Sequence, residues 1–370
     1  MSYVVLARKW RPMSFRDLIG QGHVSRSLAN AIHQDRVAHA FLFTGVRGVG
    51  KTTSARILAK ALNCLRRATA AAAEGAEPCL ECAACLEIAE GIDVDVREID
   101  GASYTGVDEI RKLQESLPYR PSRDRYKIFI VDEVHMLSQK AWNALLKTLE
   151  EPPPHVKFIL ATTEVHKVPV TILSRVQRFD FKMIPSRLIG ERIRFVLEAE
   201  HIEADDRAVQ LVAREAAGSM RDALSLLDQV IAFNPERLVG DEVARVLGVA
   251  GYLSLLELAG SVLRGEPALA LASVDALARQ GSDLIVAARN LVALFRDLVV
   301  AKLCSASDEL LDLSDEERSQ VRALAERTDA QDLVRLQQGF AKGFDDVSRA
   351  AEPRTALEML LTRLALRPAL

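Results

Sequence analysis

Residues Gly45–Thr53 read Gly-Val-Arg-Gly-Val-Gly-Lys-Thr-Thr and fit the pattern G-x-x-x-x-G-K-S/T. The apolar run Ala40–Thr44 before them is typical of a buried strand, and Ser54–Leu62 after them has helical spacing and good helix formers. In this context of strand, loop and helix, backbone N–H groups and the helix N-terminus present positive potential to a phosphate. The stretch therefore predicts a nucleoside-triphosphate site in an α/β domain, with a chance glycine-rich turn as the weaker alternative.

Individual residues of this loop have separate expected contacts with the nucleotide. Lys51 is expected to reach the β- and γ-phosphates, and the Thr52 hydroxyl is expected to coordinate Mg²⁺. The backbone of the remaining residues should wrap the phosphates: Gly45, Gly48, Val49, Gly50 and Thr53. Because the sequence contains no Asn-Lys-x-Asp motif of the kind that reads guanine in GTPases, ATP is the expected nucleotide.

A second apolar run, Lys127–Asp132, ends on two adjacent carboxylates, Asp132 and Glu133. Asp132 is expected to coordinate Mg²⁺ directly or through water, and Glu133 to orient and polarise the attacking water. A phosphotransfer kinase would not need this activating carboxylate beside the metal ligand. An apolar run followed by Asp-Glu is common and can be a solvated strand end, but the phosphate loop in the same chain favours a hydrolytic site.

Strands and helices alternate between residue 40 and about residue 180. Further strands are expected at Val94–Asp100, Lys127–Asp132 and Val156–Thr163. A helix is expected at Ser138–Glu150, with Ser138 as its N-cap and Pro152–Pro154 as its stop. This order predicts an α/β P-loop ATPase domain, in which helices cover both faces of a parallel sheet.

After about residue 181 we expect helices without strands. Three are predicted, at Ser186–Glu200, Asp206–Ala217 and Ser219–Phe233, with Gly218 between the last two. The region from residue 245 is helical throughout, with breaks at Gly265–Pro267 and Gly281–Asp283 and a capping-box start at Ser314–Glu317. The predicted domains are an ATPase domain at 1–180, an all-α lid at 181–244 and an all-α collar at 245–370.

Composition and charge limit the classes of protein that this chain can form. No apolar run reaches the roughly 18–20 residues of a membrane span, and the N-terminus lacks the features of a secretory signal. We therefore expect a cytoplasmic protein with no membrane partner. The net charge is −3, but the first 60 residues carry ten Lys and Arg against two Asp. This basic segment is compatible with nucleic acid, with the triphosphate alone or with an acidic partner surface.

Four of the five cysteines fall in one short segment: Cys64, Cys79, Cys82 and Cys85. In a cytosolic chain this spacing indicates a tetrahedral zinc site rather than disulfides. Four thiolates leave no open position, so the predicted Zn²⁺ is structural and the module at 64–85 is an insertion in the ATPase domain. Unliganded or redox-active thiols are the alternative. Cys304, which lies alone in an aliphatic pattern, is expected to be a small buried side chain.

Several motifs together resemble a known family. They are Asp-Glu-Val-His-Met-Leu at Asp132–Leu137, the run Asn143–Pro153, the opening Ala7–Pro12 and the cysteine module after the loop's helix. The chain resembles the clamp-loader ATPases of the AAA+ class, and most closely the gamma/tau family of bacterial DNA polymerase III. The match covers the ATPase and lid regions, whereas the region after residue 245 agrees only in being helical and of suitable length.

The resemblance implies roles for residues far from the loop. Thr163 matches the polar sensor of the γ-phosphate, although a Thr that caps a strand is an alternative. Arg175 lies in Ser174–Val176, where Val176 replaces the family's Cys, and it is expected to project into a neighbouring subunit's ATP site. Arg221, in Gly218–Asp222, is expected to reach the nucleotide of its own subunit. Arg8 and Arg11 are expected near the adenine and sugar.

The resemblance also implies partners. It predicts a hetero-pentamer with delta-type and delta-prime-type subunits and copies of this chain, which uses ATP to load a sliding clamp onto primer–template DNA. The segment Ala102–Val107 lacks the basic residues that similar loaders carry, so Arg111, Lys167 and Thr171 are the candidates for DNA backbone contact. A helicase or branch-migration motor and a non-catalytic interaction subunit remain the rival interpretations.

Overall fold

The structure, a computed structural model, describes residues 4–67, 76–103, 113–248, 251–304, 310–311, 313 and 315–367. It divides into two compact units. The first unit comprises Met1–Val196 and Val212–Asp228, and the second comprises Leu197–Leu211 and Gln229–Leu370. The capping-box Ser314, the candidate Arg111 and most of the Ala102–Val107 segment lie outside the described residues.

A five-stranded parallel sheet is the centre of the first unit. Its strands are β1 (Ala40–Thr44), β2 (Val96–Asp100), β3 (Lys127–Asp132), β4 (Val156–Thr162) and β5 (Gln177–Asp180). They lie in the order β2-β3-β4-β1-β5. Every residue of β1 and β4 is buried, which explains why both strands read as unbroken apolar runs. Strand β5 was not predicted, because this edge strand has only four residues, Gln177–Asp180, and contains no β-branched residue.

Helices cover both faces of this sheet, as predicted. Among the described residues before 181, the helices include α1 (Leu6–Lys9), α2 (Gly22–His33), α3 (Lys51–Asn63), α4 (Ala83–Glu90), α5 (Gln139–Glu150) and α6 (Val170–Leu173). Phe41 and Phe43 of β1 share a core with α2 and α3, while Leu42 faces a second core with Trp142 of α5. The alternation of side chains along β1 thus separates the two layers. Helix α5 begins after the predicted N-cap, since the Ser138 hydroxyl accepts from Ala141 N at 3.3 Å.

The lid region contains the three expected helices, with two short strands between them that the sequence did not predict. The helices are α7 (Ser186–Ala199), α8 (Asp206–Glu215) and α9 (Met220–Phe233). Strands β6 (Glu203–Ala204) and β7 (Arg237–Leu238) pair in parallel in the second unit, so the expectation that strands cease near residue 181 is wrong. Two residues are too few to show the alternation that identifies a strand.

The remaining elements that the structure describes in the second unit are helices. Its helices are α10 (Gly240–Val246), α11 (Tyr252–Leu263), α12 (Pro267–Arg279), α13 (Leu284–Leu303), α14 (Asp315–Glu326), α15 (Ala330–Arg349) and α16 (Pro353–Ala365). The breaks at Gly265–Pro267 and Gly281–Asp283 are confirmed. Phe295 and Phe340 stack in the core with ring centroids 4.4 Å apart. Within the described ranges, no helix is both long and apolar enough to cross a bilayer.

Cys304 differs from its expected environment. It ends α13 as the C-cap residue and is partly exposed, so it is not a buried side chain of the helical core. The aliphatic pattern around it belongs to the buried stripe of α13, which ends at the turn that contains Cys304.

Candidate nucleotide site and cysteine centre

The phosphate loop follows the carboxyl end of β1, and its glycines are required by geometry. Gly45, Gly48 and Gly50 have φ values of 143°, 78° and 106°, which favour glycine. A Cβ on Gly45 would lie 2.5 Å from the Phe181 carbonyl oxygen, and one on Gly48 would lie 1.8 Å from the Ser219 hydroxyl. The loop is therefore packed closely between the sheet and the segment around Ser219, with no room for side chains at two positions.

Lys51 is the first residue of α3 and is almost completely buried. Its ammonium donates to the carbonyl oxygens of Gly45 at 2.7 Å and Val46 at 2.9 Å. Burial lowers the pKa of Lys51, while the carboxylates of Glu133 and Asp132 act in the opposite direction. The ammonium is thus already held inside the loop, where a triphosphate would lie.

The two predicted magnesium ligands meet in the structure. Thr52 Oγ1 donates to Asp132 Oδ2 at 2.5 Å and joins the first turn of α3 to the end of β3. A hydroxyl and a carboxylate at the mouth of a phosphate loop are the oxygen donors that Mg²⁺ accepts together with phosphates. The residues present therefore fit a magnesium–nucleotide complex.

Glu133 is fixed by the end of the neighbouring strand. Its backbone is left-handed, with φ 43°, and its N–H donates to Asp132 Oδ1 at 2.9 Å. Its carboxylate Oε2 accepts from Thr163 Oγ1 at 3.0 Å and from Thr163 N at 3.3 Å. The expected sensor therefore contacts the expected water-activating group directly, next to the phosphate loop.

His135 is a site residue to which the sequence assigned no role. Its Nδ1 lies 3.4 Å from Glu133 Oε2 and 3.0 Å from Thr162 Oγ1, and its Nε2 lies 3.2 Å from Glu164 Oε1. The side chain is only 6% exposed, so its position is set by the surrounding packing. The sequence signal that could have identified His135 is its position two residues after Glu133 in the Asp132–Leu137 motif.

A cavity of about 600 Å³ lies over the loop and is large enough for a nucleotide. The N-terminal segment, the loop, the end of β3 and the lid line it: among them Arg8, Trp10, Arg11, Leu18, Arg47–Thr53, Asp132, Glu133, Arg192 and Arg221. Burial lowers the pKa of Arg11, as do the nearby guanidinium groups of Arg56, Arg221 and Arg8, although Glu98 opposes them. Several cationic side chains thus line one cavity, which suits a polyanion.

The lid reaches the loop through its third helix. The backbone N of Arg221 donates to the Gly48 carbonyl oxygen at 3.3 Å, and the side chain of Arg221 lines the cavity. Gly218 has φ 85°, and the Ser219 hydroxyl accepts from Asp222 N at 3.2 Å at the start of α9. The predicted local pattern of a glycine break and a serine cap is therefore present, and it directs α9 toward the loop.

Arg192 also lines the cavity, and the sequence did not identify it. It lies on α7, and its guanidinium carbon is 5.6 Å from the centroid of the Trp10 ring. The same group donates to the Trp10 carbonyl oxygen at 3.4 Å. This contact joins the N-terminal segment to the first lid helix beside the cavity.

Arg175 lies apart from these residues. Its guanidinium donates to Glu150 Oε1 at 2.6 Å, to the Thr171 carbonyl oxygen at 2.5 Å and to the Ser174 hydroxyl at 3.0 Å. It lines a separate, open surface cavity with Leu149. The fold therefore brings together the expected loop, strand-end and lid residues and leaves Arg175 on another surface.

The four cysteines of the inserted module also meet. Their sulfur atoms all lie within 4.8 Å of one another, near the roughly 3.8 Å expected between ligands of a tetrahedral zinc with Zn–S bonds of about 2.3 Å. Burial acts to raise the pKa of Cys79, but hydrogen bonds from the backbone and from neighbouring thiols outweigh it and bring that pKa to about 7. Burial raises the pKa of Cys85 well above its usual value. A cluster of four soft sulfur donors fits Zn²⁺.

A parallel sheet with a phosphate loop, an acidic strand end and a helical lid that returns an arginine to the loop defines a class of protein, the AAA+ P-loop ATPases. Consecutive parts of the chain match families described as "DNA polymerase III, delta subunit" (residues 20–185), "DNA polymerase III clamp loader subunit, ATPase lid domain" (188–235) and "DNA polymerase III subunits gamma and tau domain III" (238–369). The chain belongs to the gamma/tau family of DNA polymerase III clamp-loader subunits.

A tau and a gamma relative agree with this membership. The DNA polymerase III subunit tau of Bacillus subtilis is 41% identical over 364 residues, which are 98% of this chain and 63% of that protein. Subunit gamma of Buchnera aphidicola is 46% identical over 249 residues, 67% of each chain. The solved structure of Thermotoga maritima RuvB aligns with 68% of this chain and 79% of its own, at a TM-score of 0.48 and 19% identity. The chain spans about half to two thirds of the length of the tau relatives.

Proposed function

We propose that this chain is the ATP-hydrolysing motor subunit of a bacterial replicative clamp loader. The observation that carries the proposal is the contact between Thr52 and Asp132 at 2.5 Å, with Glu133 beside it, at the mouth of a cavity that Arg221 also lines. A hydroxyl and a carboxylate at this distance can bind the same magnesium ion. The adjacent Glu133 is then not needed as a metal ligand. Family membership supports assembly with other clamp-loader components.

Hydrolysis would follow from the positions of these groups. In this proposal Lys51 and the loop N–H groups bind the phosphates of ATP, with Arg8 and Arg11 near the adenine and sugar. Bound Mg²⁺ would neutralise charge on the phosphate oxygens. Glu133 accepts a proton from the attacking water while the oxygen of that water bonds to the γ-phosphorus. The bond between this phosphorus and the β–γ bridging oxygen breaks at the same time, which gives ADP and phosphate. Thr163, whose hydroxyl contacts Glu133 at 3.0 Å, would act as the sensor of the γ-phosphate.

Two arginines would act on the γ-phosphate from different subunits. Arg221 would contact the nucleotide of its own chain, because its side chain lines the cavity. Arg175 lies on another surface and would act in the site of a neighbouring subunit. An arginine supplied in trans contributes roughly 10³–10⁵ in rate in related enzymes, because it neutralises charge in the transition state. Each site would then be slow until a neighbour completes it.

The remaining assignments concern structure and partners. Cys64, Cys79, Cys82 and Cys85 would hold a structural Zn²⁺ and no reaction step would pass through it. The proposed domains are the ATPase domain (1–180), the lid (181–244) and the collar (245–370), close to the ranges of the family matches. The partners would be delta-type and delta-prime-type subunits, copies of this chain, a sliding clamp and the DNA backbone, with Lys167 and Thr171 as candidate contacts.

The test is the ATPase rate of the chain alone and with primed DNA, the clamp and the partner subunits. Strong stimulation by the full combination, and by no single component, is the expected result. Processive strand separation would instead indicate a helicase or branch-migration motor. No phosphate release under any condition would indicate a non-catalytic subunit.

A further inference from the structure

A tight turn at residues 13–17 connects two stretches that line the nucleotide cavity. Arg8–Pro12 lead into the turn and Asp17–Ile19 lead out of it, and both stretches contribute lining residues. Within the turn, Asp17 Oδ2 accepts from Ser14 N at 2.9 Å and from Ser14 Oγ at 2.8 Å. The turn is therefore held together internally, and its movement would displace both walls of the cavity.

Two charged side chains attach this turn to the rest of the unit. Lys60 of α3 donates to the Met13 carbonyl oxygen at 2.7 Å, and Glu77 Oε2 accepts from Phe15 N at 2.9 Å. Glu77 also lies 3.8 Å from the Arg16 guanidinium. The Phe15 side chain is buried in the same core as Ala76, the residue next to Glu77. The turn thus contacts α3 on one side and the cysteine module on the other.

The position of Glu77 depends on the cysteine centre. Glu77 lies two residues before Cys79, whose sulfur accepts from Cys82 N at 3.4 Å in a cluster of four sulfurs. A metal ion bound by these sulfurs would fix the backbone at Cys79, because structural zinc contributes directly to local folding. Only Pro78 separates that fixed point from the residue that holds the Phe15 amide.

We propose that Glu77 is a positioning residue that couples the cysteine centre to ATP binding. Metal bound at the cysteines holds Glu77, Glu77 holds the turn at residues 13–17, and the turn holds the cavity walls that contain Arg8, Arg11 and Leu18. The inserted module then supports nucleotide affinity from outside the nucleotide site. This inference rests on the proposed function, since it requires the cavity to bind ATP.

The test is the equilibrium dissociation constant for ATP, measured on the full chain with bound zinc. Glu77→Ala removes the acceptor of the Phe15 amide and should raise that constant about tenfold, since a hydrogen bond to a charged group is lost. Glu77→Gln keeps an acceptor oxygen and should restore the constant to within about twofold of wild type. Glu81→Ala is the matched control, because its carboxylate lies in the same module but pairs with Arg66.

The link to the metal is tested by Cys82→Ser, which should lose zinc and raise the ATP dissociation constant about as much as Glu77→Ala. The double variant should raise the ATP dissociation constant little beyond either single variant, because both changes act through the contact between Glu77 and the Phe15 amide. Hydrogen exchange of residues 13–17 in the wild-type chain should also rise when zinc is removed, and this readout needs no variant.

Two kinds of result would overturn the proposal. Wild-type ATP binding in Glu77→Ala, or an equal loss in Glu81→Ala, would remove the positioning role of Glu77 and leave the proposed function intact. Unchanged exchange of residues 13–17 after zinc removal would break the link to the cysteines. A wild-type chain that binds no ATP would overturn the proposed function as well.

Discussion

The Arg175 guanidinium donates to Glu150 Oε1 at 2.6 Å on the surface of the first unit. The two side chains are 32% and 47% exposed, so solvent screens their attraction. Exposed ion pairs of this kind contribute only about 0–1 kcal/mol. A triphosphate bound in a neighbouring subunit, as proposed, would carry several negative charges and could replace Glu150 at small cost, so this contact is compatible with the proposed role of Arg175 in trans.

Arg175→Ala should leave ATP bound at the neighbouring site and lower its DNA-stimulated turnover by roughly 10³–10⁵. The loss arises because the transition state loses a positive charge while the bound nucleotide keeps its own loop contacts. Mixed-subunit assays of ATP binding and turnover measure both quantities. Arg178→Ala is the matched control, since Arg178 is a nearby exposed arginine that pairs with Asp180. Unchanged turnover in Arg175→Ala would refute the trans assignment.

Glu150→Gln removes the carboxylate charge that pairs with Arg175 without changing the size of the side chain. Because an exposed pair is worth at most about 1 kcal/mol, stimulated turnover should rise by no more than about fivefold. The same mixed-subunit assay measures this change. A loss of turnover would show instead that Glu150 holds Arg175 in its working position.

Glu133→Gln should abolish turnover while ATP remains bound. General-base assistance contributes about 10²–10⁴ in rate, and Gln cannot accept the proton of water. The proposed Mg²⁺ ligands Thr52 and Asp132 stay in contact with each other, so the dissociation constant for Mg–ATP should change by less than about twofold. Turnover is measured as phosphate release, and binding separately at equilibrium. Wild-type turnover in this variant would exclude Glu133 as the water-activating group.

The sequence predicted those parts of the fold whose signals are local. Strand β1 reads as an unbroken apolar run because all five of its residues are buried, and α5 begins at a recognisable serine cap. Strand β5 exposes three of its four residues, and β6 and β7 have two residues each, so none of them carries a readable pattern. Two-sided burial explains why β1 and β4 could be predicted, whereas β2 is an edge strand in which only Val96 is buried and was predicted from its β-branched residues.

In the candidate site too, residues with a local sequence signal were predicted from the sequence, and residues without one were predicted only from the family resemblance or not at all. Lys51 and Thr52 were predicted from one contiguous motif, because the phosphate loop is built by adjacent residues. Arg221 lies far along the chain, and only the family resemblance assigned it to the loop that its backbone contacts. The contact between Glu77 and the Phe15 amide joins two segments 62 residues apart and has no local sequence signal.

Gly48→Ala should abolish measurable ATP binding. The new Cβ would lie 1.8 Å from the Ser219 hydroxyl, on a backbone whose φ of 78° disfavours any other residue. The Ser219 hydroxyl must then give up its hydrogen bond from Asp222 N, or the loop or the start of α9 must move. Gly22→Ala is the control, because a Cβ there meets nothing within 4 Å. ATP binding by the two variants at equal protein concentration distinguishes a local clash from a general effect of replacing glycine.

Asp332 and Arg367 should make the stability of the second unit depend on pH. Arg367 donates to both carboxylate oxygens of Asp332, at 2.9 Å to Oδ1 and 2.5 Å to Oδ2, and the side chains are only 16% and 12% exposed. Hydrogen bonds from Arg367 lower the pKa of Asp332, although burial opposes them. Because the folded pKa lies below the unfolded value of about 3.9, the pair stabilises the fold above that value and loses its contribution as the pH falls through the folded pKa.

Asp332→Asn should therefore lower the free energy of unfolding by about 2 kcal/mol at pH 7, because a charged hydrogen-bonded pair is lost. The difference from wild type should shrink as the pH falls below about 4 and vanish once Asp332 is protonated in the folded chain. Urea unfolding at a series of pH values measures it. Asp345→Asn, an exposed change on the same helix α15, should have no such dependence. A difference that stays constant down to pH 2 would show that the ion pair is not its source.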